Sequence, residues 1–75
     1  MNNFEYNFEL LKATRLSKKI SAQSIAFDLC LAKRHIKSIE ENSTQYFPSE
    51  SIRISSIKKY ALALGLKLED VFESN

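Results

Sequence analysis

Apolar residues in this 75-residue chain fall into short, helix-spaced groups separated by brief polar stretches. Phe8, Leu11 and Arg15 or Leu16 fall on related faces of a first helix, predicted over about 6–18. Ile25, Ala26 and Leu29 share one face of a second helix, about 22–29. Ser21 ahead of it is a good N-cap, because its hydroxyl can accept an orphan amide hydrogen. Ile36 and Ile39 mark the inner face of a third helix, about 32–41. The stretch 42–48 is polar, then aromatic at Tyr46 and Phe47, then Pro48, which disfavours helix at the residue before it. It reads as a loop whose Phe47 docks on the core. Ser49 or Ser51 opens a fourth helix with the stripe Ile54, Ile57, Ala61 and Leu64. Gly65 closes it in a left-handed conformation with Leu66 folding back, and 68–72 makes a short fifth helix. One glycine and one proline in the whole chain agree with an all-α fold.

The most informative part of this pattern is residues 20–42, because the turn between Leu29 and Lys33 is so short. Two helices joined that tightly must cross steeply and bury their inner faces on each other at the elbow, which is the construction of a helix-turn-helix. The outer face of the second member then reads Lys33, Arg34, His35, Lys37 and Ser38, a row of donors suited to nucleic acid. Charge sharpens the picture. Residues 12–37 hold seven basic side chains (Lys12, Arg15, Lys18, Lys19, Lys33, Arg34, Lys37) against Asp28 alone, a net +6. The rest of the chain holds four basic against eight acidic residues, a net −4. A basic segment coinciding with the helix pair is the footprint of phosphate binding. Uneven charge on a solvated surface is the plainer alternative.

Length bounds the rest. Residues 1–75 make one domain, with an N-terminal arm at 1–5, the helix-turn-helix at 20–42 and helices four and five within 49–72. A chain of this size buries only about 60% of its unfolded surface, so a binding module is easier to build than a deep catalytic cleft. There is no apolar run near the roughly 20 residues that span a bilayer. No basic n-region opens the chain as in a signal peptide. A single cysteine fits a reducing compartment, so a cytoplasmic location is expected. Catalysis finds little support. His35 is the only histidine, Cys30 and His35 have no further Cys or His to complete a zinc site, and no glycine-rich phosphate loop is present. No enzyme activity, metal or small-molecule cofactor is expected. Cys30 is read as a buried, inert thiol in preference to a redox sensor. Glu40 and Glu41 are read as helix-surface partners, for example Lys37 with Glu41.

Ile20-Ser21 through Asn42 aligns without gaps on the Cro/cI-type (XRE) helix-turn-helix pattern, and the chain resembles that family. The similarity extends over about 9–72. Its most specific parts are the Ile36-x-x-Ile39-Glu40 end of the third helix and the block from Pro48 through Tyr60-Ala61-x-x-Leu64-Gly65-Leu66. That block, with the Leu29-Cys30-Leu31 turn, looks like the RodZ-like subgroup. The resemblance implies a compact five-helix bundle of lambda-repressor-like type. It also implies a homodimeric, sequence-specific transcriptional regulator of bacterial or phage kind, binding double-stranded DNA with its third helix in the major groove.

By match to the motif, Ala32, Lys33, Arg34 and Ser38 occupy base-facing positions, flanked by His35 and Lys37. Arg34 is the candidate for a bidentate contact to guanine. Lys12, Lys18, Lys19 and Lys37 would meet backbone phosphates, as would Ser21 and Gln23 at the start of the second helix. Three residues depart from the pattern. Cys30 replaces a glycine at positive φ, so a small backbone penalty or a reshaped turn is expected. Ala22 replaces a phosphate-clamping glutamine, and Ala32 replaces the Ser or Thr that caps the recognition helix.

The alternative is a protein-interaction module without a DNA role. RodZ is a membrane-anchored partner of a bacterial actin-like filament protein, and its filament contact is attributed to a Phe-x-x-x-Tyr pair on helix four. Here those positions hold Ile52 and Ser56, and no membrane helix follows Phe72, so this arrangement is not expected. Phe4 and Tyr6 ahead of the first helix have no obvious core partner, Phe27 lies on the outer face of the second helix and Tyr46 beside the loop. Together they are read as a surface for a second copy, with folding of the arm (Phe4, Tyr6, Phe8) back over its own core as the alternative.

Overall fold

The computed structural model describes residues 5–72, which form five helices: α1 Phe8–Ser17, α2 Ala22–Asp28, α3 Lys33–Glu40, α4 Glu50–Ala63 and α5 Leu68–Val71. All five lie within a residue or two of the elements expected from periodicity. Phe4, expected on the partner surface, lies outside the described residues.

Short polar side chains start three of the helices. Asn7 Oδ1 accepts from the Leu10 amide at 3.0 Å, Ser21 Oγ from Ser24 at 3.0 Å and Ser49 Oγ from Ile52 at 3.3 Å. Each such cap is worth about 1 kcal/mol.

Four helices end alike. After α1, α2, α3 and α4 one residue turns left-handed: Lys19 (φ 60), Cys30 (φ 60), Asn42 (φ 57) and Gly65 (φ 79). The next amide then reaches back five residues. Ile20 donates to the Arg15 carbonyl, Leu31 to Ala26, Ser43 to Ser38 and Leu66 to Ala61, at 2.8–3.2 Å. These are Schellman closures. Glycine and asparagine tolerate the conformation, whereas Lys19 and Cys30 carry a penalty of about 1 kcal/mol each. The turn at Cys30 therefore keeps the positive φ, with its backbone cost, and is not reshaped. Its side chain is exposed, however, not buried. A residue at this left-handed corner stands out from the elbow and does not point between the helices.

The core consists of Leu11, Ile25, Ala26, Ile36, Ile39, Ile57, Tyr60, Ala61, Leu64 and Val71, joined by Tyr6. Phe47 packs against its edge, as its place before Pro48 predicts. Each large aliphatic side chain buried there contributes about 1.5–3 kcal/mol. Tyr6 takes the alternative course, folding back over its own core instead of facing a second copy. It is 5% exposed, its hydroxyl donates to the Ile39 carbonyl, and the Arg53 guanidinium lies 5.4 Å from its ring centre. The segment before α1 folds inward because the Asn7 amide donates to the Val71 carbonyl at 2.7 Å, bringing Tyr6 over the end of α3.

Two arginines are built into the interior. Arg15 grips Glu40 with two donors (Nε to Oε2 at 2.7 Å, Nη2 to Oε1 at 3.1 Å) and gives Nη1 to the Ile20 carbonyl at 2.9 Å. Tyr60 donates its hydroxyl to the same Glu40 oxygen. Glu40 is thus the hub joining α1, α3 and α4 and not a surface residue. Glu41 stays exposed and makes no ion pair with Lys37. Burial, then the bond to Glu40, pushes the Tyr60 phenol well above its ordinary range. Arg53, 4% exposed, donates to the Ser43 carbonyl at 3.0 Å and to Asn42 Oδ1 at 3.2 Å, so it shapes the loop after α3.

Candidate nucleic-acid interface

The surface of interest is built on the α2–α3 elbow. α3 buries Ile36, Ile39 and Glu40 on its inner side, which leaves Lys33, Arg34 and Lys37 exposed on the outer one. None of these three takes part in an ion pair among the described residues. Lys12, Lys18 and Lys19 are exposed as well. Arg15 is the one member of the basic segment that leaves the surface, its charge spent on Glu40.

The start of α3 is unusual. Ala32 is the N-cap and carries no oxygen to cap with. His35, three residues on, supplies half of what is missing: its Nδ1 accepts from the Ala32 amide at 3.0 Å. That bond puts the ring proton on Nε2, which faces the Tyr46 carbonyl at 3.2 Å. The imidazole also lies 5.0 Å from the Phe47 ring. His35 therefore ties α3 to its following loop and does not project from the outer face, as its place in the sequence had implied.

Ser38 requires a correction too. It is 3% exposed, with Oγ 2.9 Å from the Gln45 carbonyl and 3.1 Å from the Ser43 carbonyl, so its one proton is committed to the loop. The loop 43–47 covers that side of α3 and leaves Ser38 almost no exposed surface. Ala32 is half-buried. Ser21 and Gln23 are exposed at the start of α2. The Ser21 oxygen accepts from Ser24, while its own proton remains available to donate.

Tyr46 is the residue that the sequence reading left out of the site. It is 56% exposed, at φ 76, with the Arg34 guanidinium 5.7 Å from its ring centre. Between α3 and the loop, from Arg34 and Lys37 to Ser43 and Tyr46, lies an open depression of about 210 Å³. The only sequence signal for this was an aromatic pair placed just before Pro48.

Residues 10–71, most of the chain, match the model of a helix-turn-helix domain. The chain belongs to this helix-turn-helix family, of the Cro/cI type. No curated protein and no solved structure matches it. Membership of a helix-turn-helix family points to DNA as the partner, and the exposed basic face of α3 lies on the second member of the motif. Among the described residues, no helix is long and apolar enough to cross a membrane.

Proposed function

We propose that this chain is a sequence-specific DNA-binding transcriptional regulator, working in the cytoplasm as a homodimer with α3 in the major groove. The observation that carries the reading is the contrast among its basic side chains. Arg15 and Arg53 are buried on internal partners, while Lys33, Arg34 and Lys37 stand exposed and unpaired along one face of α3. Keeping three cations together without counter-charges is favourable when a polyanion neutralises them. Arg34 would take guanine O6 and N7 through its planar donor fork. Lys33, Lys37, Lys12, Lys18 and Lys19 would neutralise phosphates, and Ser21 and Gln23 would add donors at the start of α2. Two copies would read half-sites about one helical turn apart. Phe27, 82% exposed on α2, is a candidate for contact between the copies.

A protein-interaction role of RodZ type is less well supported. Ile52 is exposed on α4, but Ser56, at the second position of the aromatic pair, is 6% exposed and faces inward.

The test is selection of bound fragments from sheared genomic DNA, followed by titration of one winner at several salt concentrations. Enrichment of a palindrome is expected. Log K should fall linearly with log salt, with a slope of about −4.5 per protomer if each of the five lysines meets a phosphate. Arg34→Ala with Lys37→Ala should abolish binding and leave the fold intact. Unchanged binding by that variant, or no enrichment at all, would overturn the reading.

A further inference from the structure

The loop 43–47 is fastened to its surroundings through its backbone. Ser38 Oγ holds the Ser43 and Gln45 carbonyls, His35 Nε2 holds that of Tyr46, and Arg53 Nε donates to Ser43. These bonds fix where the Tyr46 side chain emerges without using it. The ring stands edge-on to the His35 imidazole, with centres 6.4 Å apart, and its face is turned to the Arg34 guanidinium at 5.7 Å. It does so from a left-handed backbone, φ 76, that glycine or asparagine would adopt more readily. A bulky aromatic at such a position, exposed and beside the reading arginine, calls for a role.

We propose that Tyr46 is a positioning residue that holds Arg34 ready for base readout, making the loop 43–47 a second component of the specificity surface. This rests on the reading of α3 as the DNA-recognition helix. A free arginine on a helix surface samples many rotamers and loses that freedom when it docks. The electron-rich face of a tyrosine attracts the guanidinium through its charge and leaves the N–H donors unused. No hydrogen bond within the described residues consumes those donors, so the fork remains whole for guanine. Tyr46 contributes discrimination at one base pair, through Arg34, and adds no charge of its own.

The experiment compares wild type with Tyr46→Phe, Tyr46→Leu and Tyr46→Gly on the selected site and on single-base variants of it. Arg34→Ala identifies the base pair that Arg34 reads. Tyr46→Phe keeps the aromatic face and should discriminate as wild type does. Tyr46→Leu and Tyr46→Gly should lose about two- to five-fold of discrimination, the range of an exposed cation–π contact, at the Arg34 base pair alone. The salt slope should not change. In the Arg34→Ala background Tyr46→Leu should have no effect. Tyr46→Gly relieves the left-handed backbone, so it should melt no earlier than Tyr46→Leu, which separates lost positioning from lost folding.

The proposal is overturned if Leu and Gly discriminate like wild type, or if their loss spreads over every base pair. It is overturned equally if the loss persists without Arg34. A wild-type protein that selects a site indifferent to Arg34→Ala removes this role and leaves DNA binding standing. One that selects no site removes both.

Discussion

At its C-terminal end α3 is anchored by Glu40, held by two bonds from Arg15 and one from Tyr60 and drawn into the interior between three helices. At its N-terminal end Ala32 has no side chain to cap with, and a single imidazole reaches back to it while two cations stand in solvent. One eight-residue helix thus has an end that belongs to the core and an end that belongs to the surface. Stability is concentrated at the buried end, and the exposed end is held only by the single imidazole and its loop.

The most damaging way to break this arrangement is Glu40→Ala. It strands a buried guanidinium and a buried phenol at once, and removing one partner of a buried pair costs about 3–5 kcal/mol. Urea unfolding should show that loss, enough to leave a domain of this size partly unfolded. Removal of the buried cluster as a unit, Arg15→Met with Glu40→Leu and Tyr60→Phe, should recover most of it.

The same anchored end should respond to alkali. Burial raises the Tyr60 phenol, and Tyr6 is raised for the same reason. A phenol raised on folding stays protonated in the native state while its unfolded counterpart ionises near pH 10. Its stabilising effect is therefore whole below pH 10 and drains away as pH rises. The slope should approach about 1.4 kcal/mol per pH unit for Tyr60, whose shift is the large one, with Tyr6 adding in the same direction. Tyr60→Phe should flatten it, although that variant starts less stable.

At the exposed end the effects are smaller and of either sign. His35→Ala removes the bond to the Ala32 amide and the tie to Tyr46, at a cost of about 1–2 kcal/mol. Ala32→Ser supplies the missing cap and should add about 1 kcal/mol. Thermal melts of the two singles and the double would show whether His35 stands in for a cap: if it does, Ala32→Ser should shrink the His35→Ala loss. Of the same size, Cys30→Gly should stabilise by about 1 kcal/mol by relieving the corner at the elbow. A drop in melting temperature there would mean that the thiol makes a contact worth more than the backbone strain.

What could be read ahead of the structure follows this division. Helix boundaries rest on local signals: Ser21 and Ser49 as caps, Gly65 as a stop, Ile36 and Ile39 as an inner face. Each depends on neighbours within one turn. Most of the misread residues depend on partners beyond their own helix turn; Cys30, turned outward by its own left-handed backbone, is the exception. Tyr6 is core because the Asn7 amide finds Val71 at the other end of the chain. Glu40 is core because Arg15 lies across the bundle. Ser38 is covered because the loop after α3 doubles back along its flank, a path that no periodicity records. Lys33, Arg34 and Lys37 could be placed outside because exposure of one helix face is itself a local property. Tyr46 was visible as an exposed aromatic, but its aim at Arg34 is a matter of loop geometry.

The bond from Asn7 to Val71 has a consequence for how the molecule opens and closes. It unites residues from opposite ends of the described chain, so local contacts along the way cannot secure it, and such closures form late in folding. Exchange of the Asn7 amide with solvent deuterium would thus follow separation of the segment before α1 from α5. The amides inside α3 would follow opening of the α2–α3 elbow. With those two probes in one experiment, a bound partner that slowed the second and spared the first would be revealed as gripping the elbow, without any need to see it there.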